Sequence, residues 1–226
     1  MVRGGEMRTA AGVRRMTAEE SLKWIGEDLL KQCPGYIRKP VPWPGTSEVF
    51  RLYVPAFTVD FLKLQRCQYR LSTDGTILSA SVFRIQETVT IYDRRGEPTY
   101  LQSFAESVIL DPEACRQPRL IEMMEDSRHI LARLSFHHPD PVEYRTLRPE
   151  PTPLEQELEH LAEYLLMPDS VLIPMLQHRG FEPIIFTNGT FSPDEDRLLH
   201  HMMTILNVPR SSLLHRLKDA GFLTEQ

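Results

Sequence analysis

Leu154-Glu155-Gln156-Glu157-Leu158-Glu159-His160-Leu161-Ala162-Glu163-Tyr164-Leu165-Leu166-Met167-Pro168 reads as an amphipathic helix with a hard stop. Leu154, Leu158, Leu161 and Leu165 recur at the spacing that lines one helical face. Pro168-Asp169 ends the run, because proline lacks the backbone donor a helix interior needs. Glu155, Glu157, Glu159 and Glu163 stand beside the stripe, a pattern that suits a solvated acidic face better than a metal cluster. Upstream, His129-Ile130-Leu131-Ala132-Arg133-Leu134-Ser135-Phe136-His137-His138 closes a second helix that begins after Pro118. Its stripe is Leu120, Met124, Leu131 and Leu134, widened by Ile121, Met123 and Ile130, and His129 and Arg133 fall opposite it. His137, His138 and Asp140 lie where Pro139 and Pro141 stop the helix; they suit capping more than a metal site shared with His129.

Outward from these helices the signals change. Residues 1–16 are basic and Gly-containing and read as a disordered tail. Thr17-Ala18-Glu19-Glu20 is a capping box, and Leu22, Ile25 and Leu29 follow at helical spacing, so a helix is expected over 17–32. Four prolines make 34–48 an extended connector, with Trp43 beside Arg38-Lys39 read as an anchor to the core rather than a nucleic-acid contact. From Val49 to Leu110 the pattern is β, with turns at Ser72-Thr73-Asp74-Gly75 and Asp93 to Pro98 and a last strand at Ser107-Val108-Ile109-Leu110. An antiparallel sheet of four to six strands is expected there. Beyond Pro168 come a helix over 170–178, a loop over 181–191 with or without one short strand at Ile184-Ile185-Phe186, a helix capped by Ser192, and a last helix ending at Gly221. His200, His201 and His215 read as surface or packed residues of those helices.

Composition narrows the classes. The 226 residues are 41% hydrophobic and 25% charged, the mixture of a globular protein. The net charge of -5, from 26 Lys+Arg against 31 Asp+Glu, disfavours a dedicated nucleic-acid binder. Cys33, Cys67 and Cys115 are too few and too far apart for a disulfide framework or a zinc knuckle, which points to a reducing, cytoplasmic setting. No apolar run reaches membrane-span length, and Arg3, Arg8, Arg14 and Arg15 have no apolar run behind them, so no secretory signal is expected.

Zinc peptidases of the His-Glu-x-x-His type set two histidines four apart on one helix, with the glutamate taking a proton from zinc-bound water. Glu155-x-Glu157, then Ala162 and Leu165-Leu166-Met167-Pro168, resembles the third-ligand helix of the ImmA/IrrE zinc-peptidase-like proteins, bacterial and phage factors linked to repressor control. Val108-Ile109-Leu110-Asp111-Pro112 is similar to that family's strand before the zinc helix. Val208, Leu213, Arg216-Leu217-Lys218 and Gly221-Phe222-Leu223 are similar to its carboxy-terminal helical module. The resemblance covers about residues 105–226 and implies Glu155 as the third ligand. It also implies a degenerate motif: His129 keeps the first ligand, Ile130 replaces the general base, and Arg133 replaces the second histidine. A register shifted by four keeps His137 as the second ligand, with Arg133 and Leu134 in place of the first histidine and the glutamate. Neither isoleucine nor arginine can do the work of the residue it replaces. Arg133 in the seat of the metal, paired with Glu155, would account for the exchange; a solvated Arg133 and Glu155 is the plainer reading.

The expected fold is therefore α+β: a small antiparallel sheet packed on zincin-like helices, with a helical carboxy-terminal module. The expected division is a tail at 1–16, a metallopeptidase-like domain at 17–168 with an enlarged β region, and the module at 169–226. The expected function is a catalytically degenerate ImmA/IrrE-like protein that regulates by binding a protein partner, such as a helix-turn-helix repressor or a defence-related protein, with self-association as a further possibility. No cofactor is expected in that reading. One competing reading is a metal-dependent peptidase with zinc on His129, His137 and Glu155; the other is a nucleic-acid-binding regulator using Arg210, Arg216 and Lys218 of the terminal helices.

Overall fold

The computed structural model describes residues 6–9, 12–15, 17–44, 49–71, 80–112, 118–134, 153–177, 183–186 and 190–225. In chain order, β1 (Glu6–Thr9) and β2 (Gly12–Arg15) precede α1 (Ala18–Gln32). A 3-10 turn (Gly35–Ile37) leads into β3 (Arg38–Pro40). Next come β4 (Phe50–Leu52), α2 (Val54–Ala56) and a π-helical turn (Phe57–Phe61). Strands β5 (Gln65–Gln68), β6 (Ala80–Phe83), β7 (Thr88–Tyr92), β8 (Pro98–Gln102) and β9 (Ser107–Leu110) follow. The carboxy-terminal half carries α3 (Pro118–Arg133), α4 (Pro153–Leu166), α5 (Asp169–Gln177), β10 (Ile184–Phe186), α6 (Pro193–Leu206), α7 (Arg210–Asp219) and β11 (Leu223–Glu225). Helices and small sheets thus mix along the chain, and no described helix is long and apolar enough to cross a membrane.

Two compact units form, one from Met1–Cys33 with Val54–Ala162 and one from Pro34–Tyr53 with Glu163–Gln226. The sequence predicts a linear division at residue 168; here the 34–53 segment groups with the carboxy-terminal residues.

In the first unit, the β1–β2 pair falls in the segment read as a tail. Thr17 caps α1 as its sequence dictates: the hydroxyl accepts from Glu20 N–H, and the Glu20 carboxylate accepts from Thr17 N–H. The β region does not form one antiparallel sheet. β9 is central to a three-stranded mixed sheet, parallel to β5 and antiparallel to β6, and β7–β8 is a separate hairpin. The reason lies in β9: all four of its residues are buried, as in the strands of sheets covered on both faces, rather than alternating in and out. The β7–β8 turn follows the sequence. The Asp93 carboxylate accepts from the Arg95 and Glu97 amides at 2.8 and 2.9 Å, and Gly96 takes φ +85°. Those amides hold the Asp93 carboxyl below its ordinary range. α3 packs on this sheet, with Ile121 against Ala80, Val108 and Leu110. Residues 122–131 are all buried, so α3 has no solvated face along that stretch, and Leu134 of the predicted stripe is half exposed. The turn predicted at Ser72 to Gly75 lies outside the described residues, as do His137, His138, Asp140 and Cys115.

In the second unit, β3 pairs antiparallel with β4, and β10 pairs parallel with β11, a strand the sequence did not announce. Ser192 and Glu195 form the capping box of α6, and Asn207 ends it in the left-handed region at φ +55°. Trp43 is buried with its ring 5.0 Å from that of His201, which makes it the predicted anchor.

Candidate functional site

His129, Ile130 and Arg133, the residues that the resemblance reads as a degenerate motif, lie in the last turns of α3. Their neighbour is Glu106, at the turn before β9, held at φ +52° with its carbonyl accepting from Gln65 N–H. The Glu106 carboxylate meets two motif residues at one oxygen: Arg133 Nη2 donates to Oε2 at 3.1 Å, and His129 Nε2 lies 3.3 Å away. His129 is 1% exposed, and neither ring nitrogen has a hydrogen-bond partner among the described residues. Burial, then the Arg133 guanidinium, hold its pKa below the ordinary 6.5 against the pull of Glu106, so the ring is neutral at pH 7. Ile130 is 4% exposed and part of the core.

This geometry corrects two expectations. Arg133 gives its guanidinium to Glu106, not to Glu155, and its side chain is 54% exposed. The exchange of a metal for an Arg133–Glu155 pair is therefore not realised. The plainer reading fails as well for Glu155, which is buried rather than solvated. The cause is local: the left-handed turn at Glu106 delivers an acid to the exposed end of α3, where an arginine can reach it without losing its water. The competing zinc set of His129, His137 and Glu155 includes His137, which lies outside the described residues; among the described residues no group of three His, Cys, Asp or Glu side chains is placed to hold a metal.

A second constellation, missed in the sequence, lies deeper on α3. Glu122, Glu125, Asp126 and His129 recur at i, i+3, i+4 and i+7, and all are buried. The Thr58 hydroxyl lies within hydrogen-bond distance of Glu122 Oε1 (3.1 Å) and Asp126 Oδ2 (2.7 Å), and Arg66 Nε donates to Glu122 Oε1 at 2.5 Å. Glu125 lies 3.4 Å from Arg128 Nε. Burial pushes the Glu125 carboxyl up to about 7 against Arg128 and the Val82 amide, and pushes Asp126 well above its ordinary range. The spacing was legible; that the face carrying it turns inward was not.

In the second unit the Leu-Leu-Met-Pro ending has a structural explanation. Arg216 is buried and donates through Nε and Nη2 to the Met167 carbonyl at 3.3 and 3.2 Å, and through Nη2 to Asp169 at 3.0 Å. Its guanidinium also lies 4.9 Å from the Tyr164 ring centre. It thus caps the carboxy-terminal end of α4, where the helix dipole favours a cation. Arg210 pairs with Asp196 at 2.6 Å and sits over Phe191. His215 Nδ1 lies 2.6 Å from the buried Glu163. Arg210 and Arg216, both offered for nucleic acid, are thus engaged within the unit. In comparisons with known proteins, no family model matches the chain, and no curated protein matches it by sequence.

Proposed function

We propose that the protein is a catalytically degenerate ImmA/IrrE-like protein that regulates by binding another protein. The supporting observation is the Glu106–Arg133–His129 cluster. The motif positions that would hold a metal and activate water hold instead a paired guanidinium and a core isoleucine. Exposed apolar side chains flank that pair in sequence: Phe104, 52% exposed, precedes Glu106, and Leu134, 50% exposed, follows Arg133. Exposed apolar side chains next to a charged pair in sequence suit a protein partner, with a helix-turn-helix repressor as the class the resemblance suggests.

Rebuilding the motif tests the reading. Wild-type protein purified without chelator is expected to carry no stoichiometric zinc and to cut no peptide. Arg133→His, alone or with Ile130→Glu, restores histidines four apart and is expected to take up about one zinc. If the scaffold is zincin-like, Glu155→Gln abolishes that uptake and Glu106→Gln does not. Uptake that depends on Glu106 and ignores Glu155 overturns the family reading. Stoichiometric zinc in the wild type overturns the pseudoenzyme.

A further inference from the structure

The β3–β4 hairpin carries two cations, Lys39 and Arg51, side by side on one face. Lys39 and Arg51 are direct partners across the antiparallel ladder, so they project from the same face with Cβ atoms roughly 5 Å apart. Like charges at such a pair oppose each other. Tyr53, two residues after Arg51, shares that face, and the Lys39 ammonium sits 5.0 Å from the Tyr53 ring centre. Among the described residues of 34–44 and 49–53 there are three cations, Arg38, Lys39 and Arg51, and no acid. Glu48, the one acid in the intervening sequence, lies outside the described residues.

Arg51 is the telling member. Its Nε and Nη1 are shielded from water and have no hydrogen-bond partner among the described residues. A guanidinium stays charged under such conditions, so these donors are desolvated without return. Guanidinium donors match the oxygens of an oxyanion. A monoanionic carboxylate would leave one of the two cations uncompensated, whereas a phosphoryl group can carry up to two negative charges.

We propose that Lys39 and Arg51 form a binding site for a phosphoryl group, with Tyr53 at its margin. Arg51 supplies directed donors, Lys39 a second charge, and the Tyr53 ring a flat surface for whatever the phosphate carries. The proposal stands independently of the zincin reading, because neither residue belongs to the motif.

The test titrates the full-length protein with inorganic phosphate, adenosine monophosphate and a ten-nucleotide oligothymidylate, with acetate as the carboxylate control. Binding is followed by calorimetry and by amide shifts around residues 38–53. Phosphate is expected to bind, acetate to bind at least tenfold more weakly, and Arg51→Gln and Lys39→Gln each to weaken phosphate at least tenfold. Without ligand, Arg51→Gln is expected to melt no lower than wild type, because Nε and Nη1 of the side chain it replaces have no hydrogen bond to lose among the described residues. Tighter binding of adenosine monophosphate identifies a small phosphorylated ligand. Tighter binding of the oligonucleotide, falling steeply with salt, identifies a polynucleotide. Either result supports the site. No binding of any phosphate, an equal response to acetate, or binding unchanged in both variants overturns it. Should Arg51→Gln fail to fold, Arg51 is a structural residue and the proposal is likewise overturned.

Discussion

The Thr58 hydroxyl lies 2.7 Å from Asp126 Oδ2, and it lies among three oxygens while owning one proton. The others are Glu122 Oε1 at 3.1 Å and the Val54 carbonyl at 2.9 Å. A hydroxyl donates once, so at most one of these contacts takes the Thr58 proton. A carbonyl cannot donate, and Glu122 already accepts from Arg66. Asp126 is left as the carboxyl that brings a proton of its own, in keeping with burial pushing its pKa well up. Asp126→Asn keeps a donor toward Thr58 and removes a titrating group. It is expected to be neutral or stabilising at pH 8, whereas Thr58→Val strips partners from buried oxygens and costs about 1–3 kcal/mol. Urea unfolding at pH 8 decides: an Asn variant as unstable as the Val variant would mean that Asp126 is ionised.

Glu125 makes the pH dependence measurable. Its carboxyl rises from an ordinary 4.5 to about 7, chiefly through burial. Below pH 4.5 the folded and unfolded states both hold the proton, and the contribution is fully present. Between 4.5 and about 7 the unfolded chain releases the proton and the folded one keeps it, so stability falls as pH rises, by roughly 3 kcal/mol. His129 acts in the opposite sense: its lowered pKa removes stability as pH falls below 6.5. Unfolding midpoints of wild type and Glu125→Gln at pH 5, 6, 7 and 8 are expected to diverge in favour of the variant up to about pH 7 and to level off by pH 8. Parallel curves would show that Glu125 is not the titrating group.

Much of this was legible in the chain. Capping boxes at Thr17 and Ser192 fixed two helix starts, because a cap is a local bargain between adjacent residues. The leucines of α4 are buried as their spacing predicts. What was hidden depends on distant chain. The parallel pairing of β5 with β9 joins segments some forty residues apart, and no local pattern encodes it. The inward face of α3 was hidden for the same reason: Glu122, Glu125 and Asp126 look solvated until Thr58 and Arg66 arrive from other elements. Glu106 carried no signal at all, since an acid in a left-handed turn follows no periodicity.

Glu106 and Arg133 act on His129 in opposite directions, and this can be read one nitrogen at a time. Glu106 raises the imidazole pKa and Arg133 lowers it. Arg133→Gln is expected to raise the His129 pKa and Glu106→Gln to depress it, both measured by nitrogen-detected NMR titration of the ring. Arg133 and Glu106 are both substantially exposed, so their mutual pair is expected to add no more than about 1 kcal/mol to stability. An imidazole that ignores both substitutions would place His129 away from the Glu106 carboxylate and remove the support for the proposed pseudoenzyme motif.

Arg216 is expected to matter far more than its neighbour Arg210. Its guanidinium is buried, bridges the Met167 carbonyl and Asp169, and lies over Tyr164. Arg216→Ala leaves the last carbonyl of the α4 turn and a half-shielded carboxylate without their donor, at a cost of about 2–4 kcal/mol. Arg216→Lys is expected to recover less than half of that, because an ammonium cannot span both acceptors and stack on the ring at once. Arg210→Ala breaks an exposed pair with Asp196 and is expected to cost under about 1 kcal/mol. Urea midpoints of the three variants rank these effects. Equal losses at 210 and 216, or full rescue by lysine, would show that charge alone matters there, and the Leu-Leu-Met-Pro turn would then need another cap.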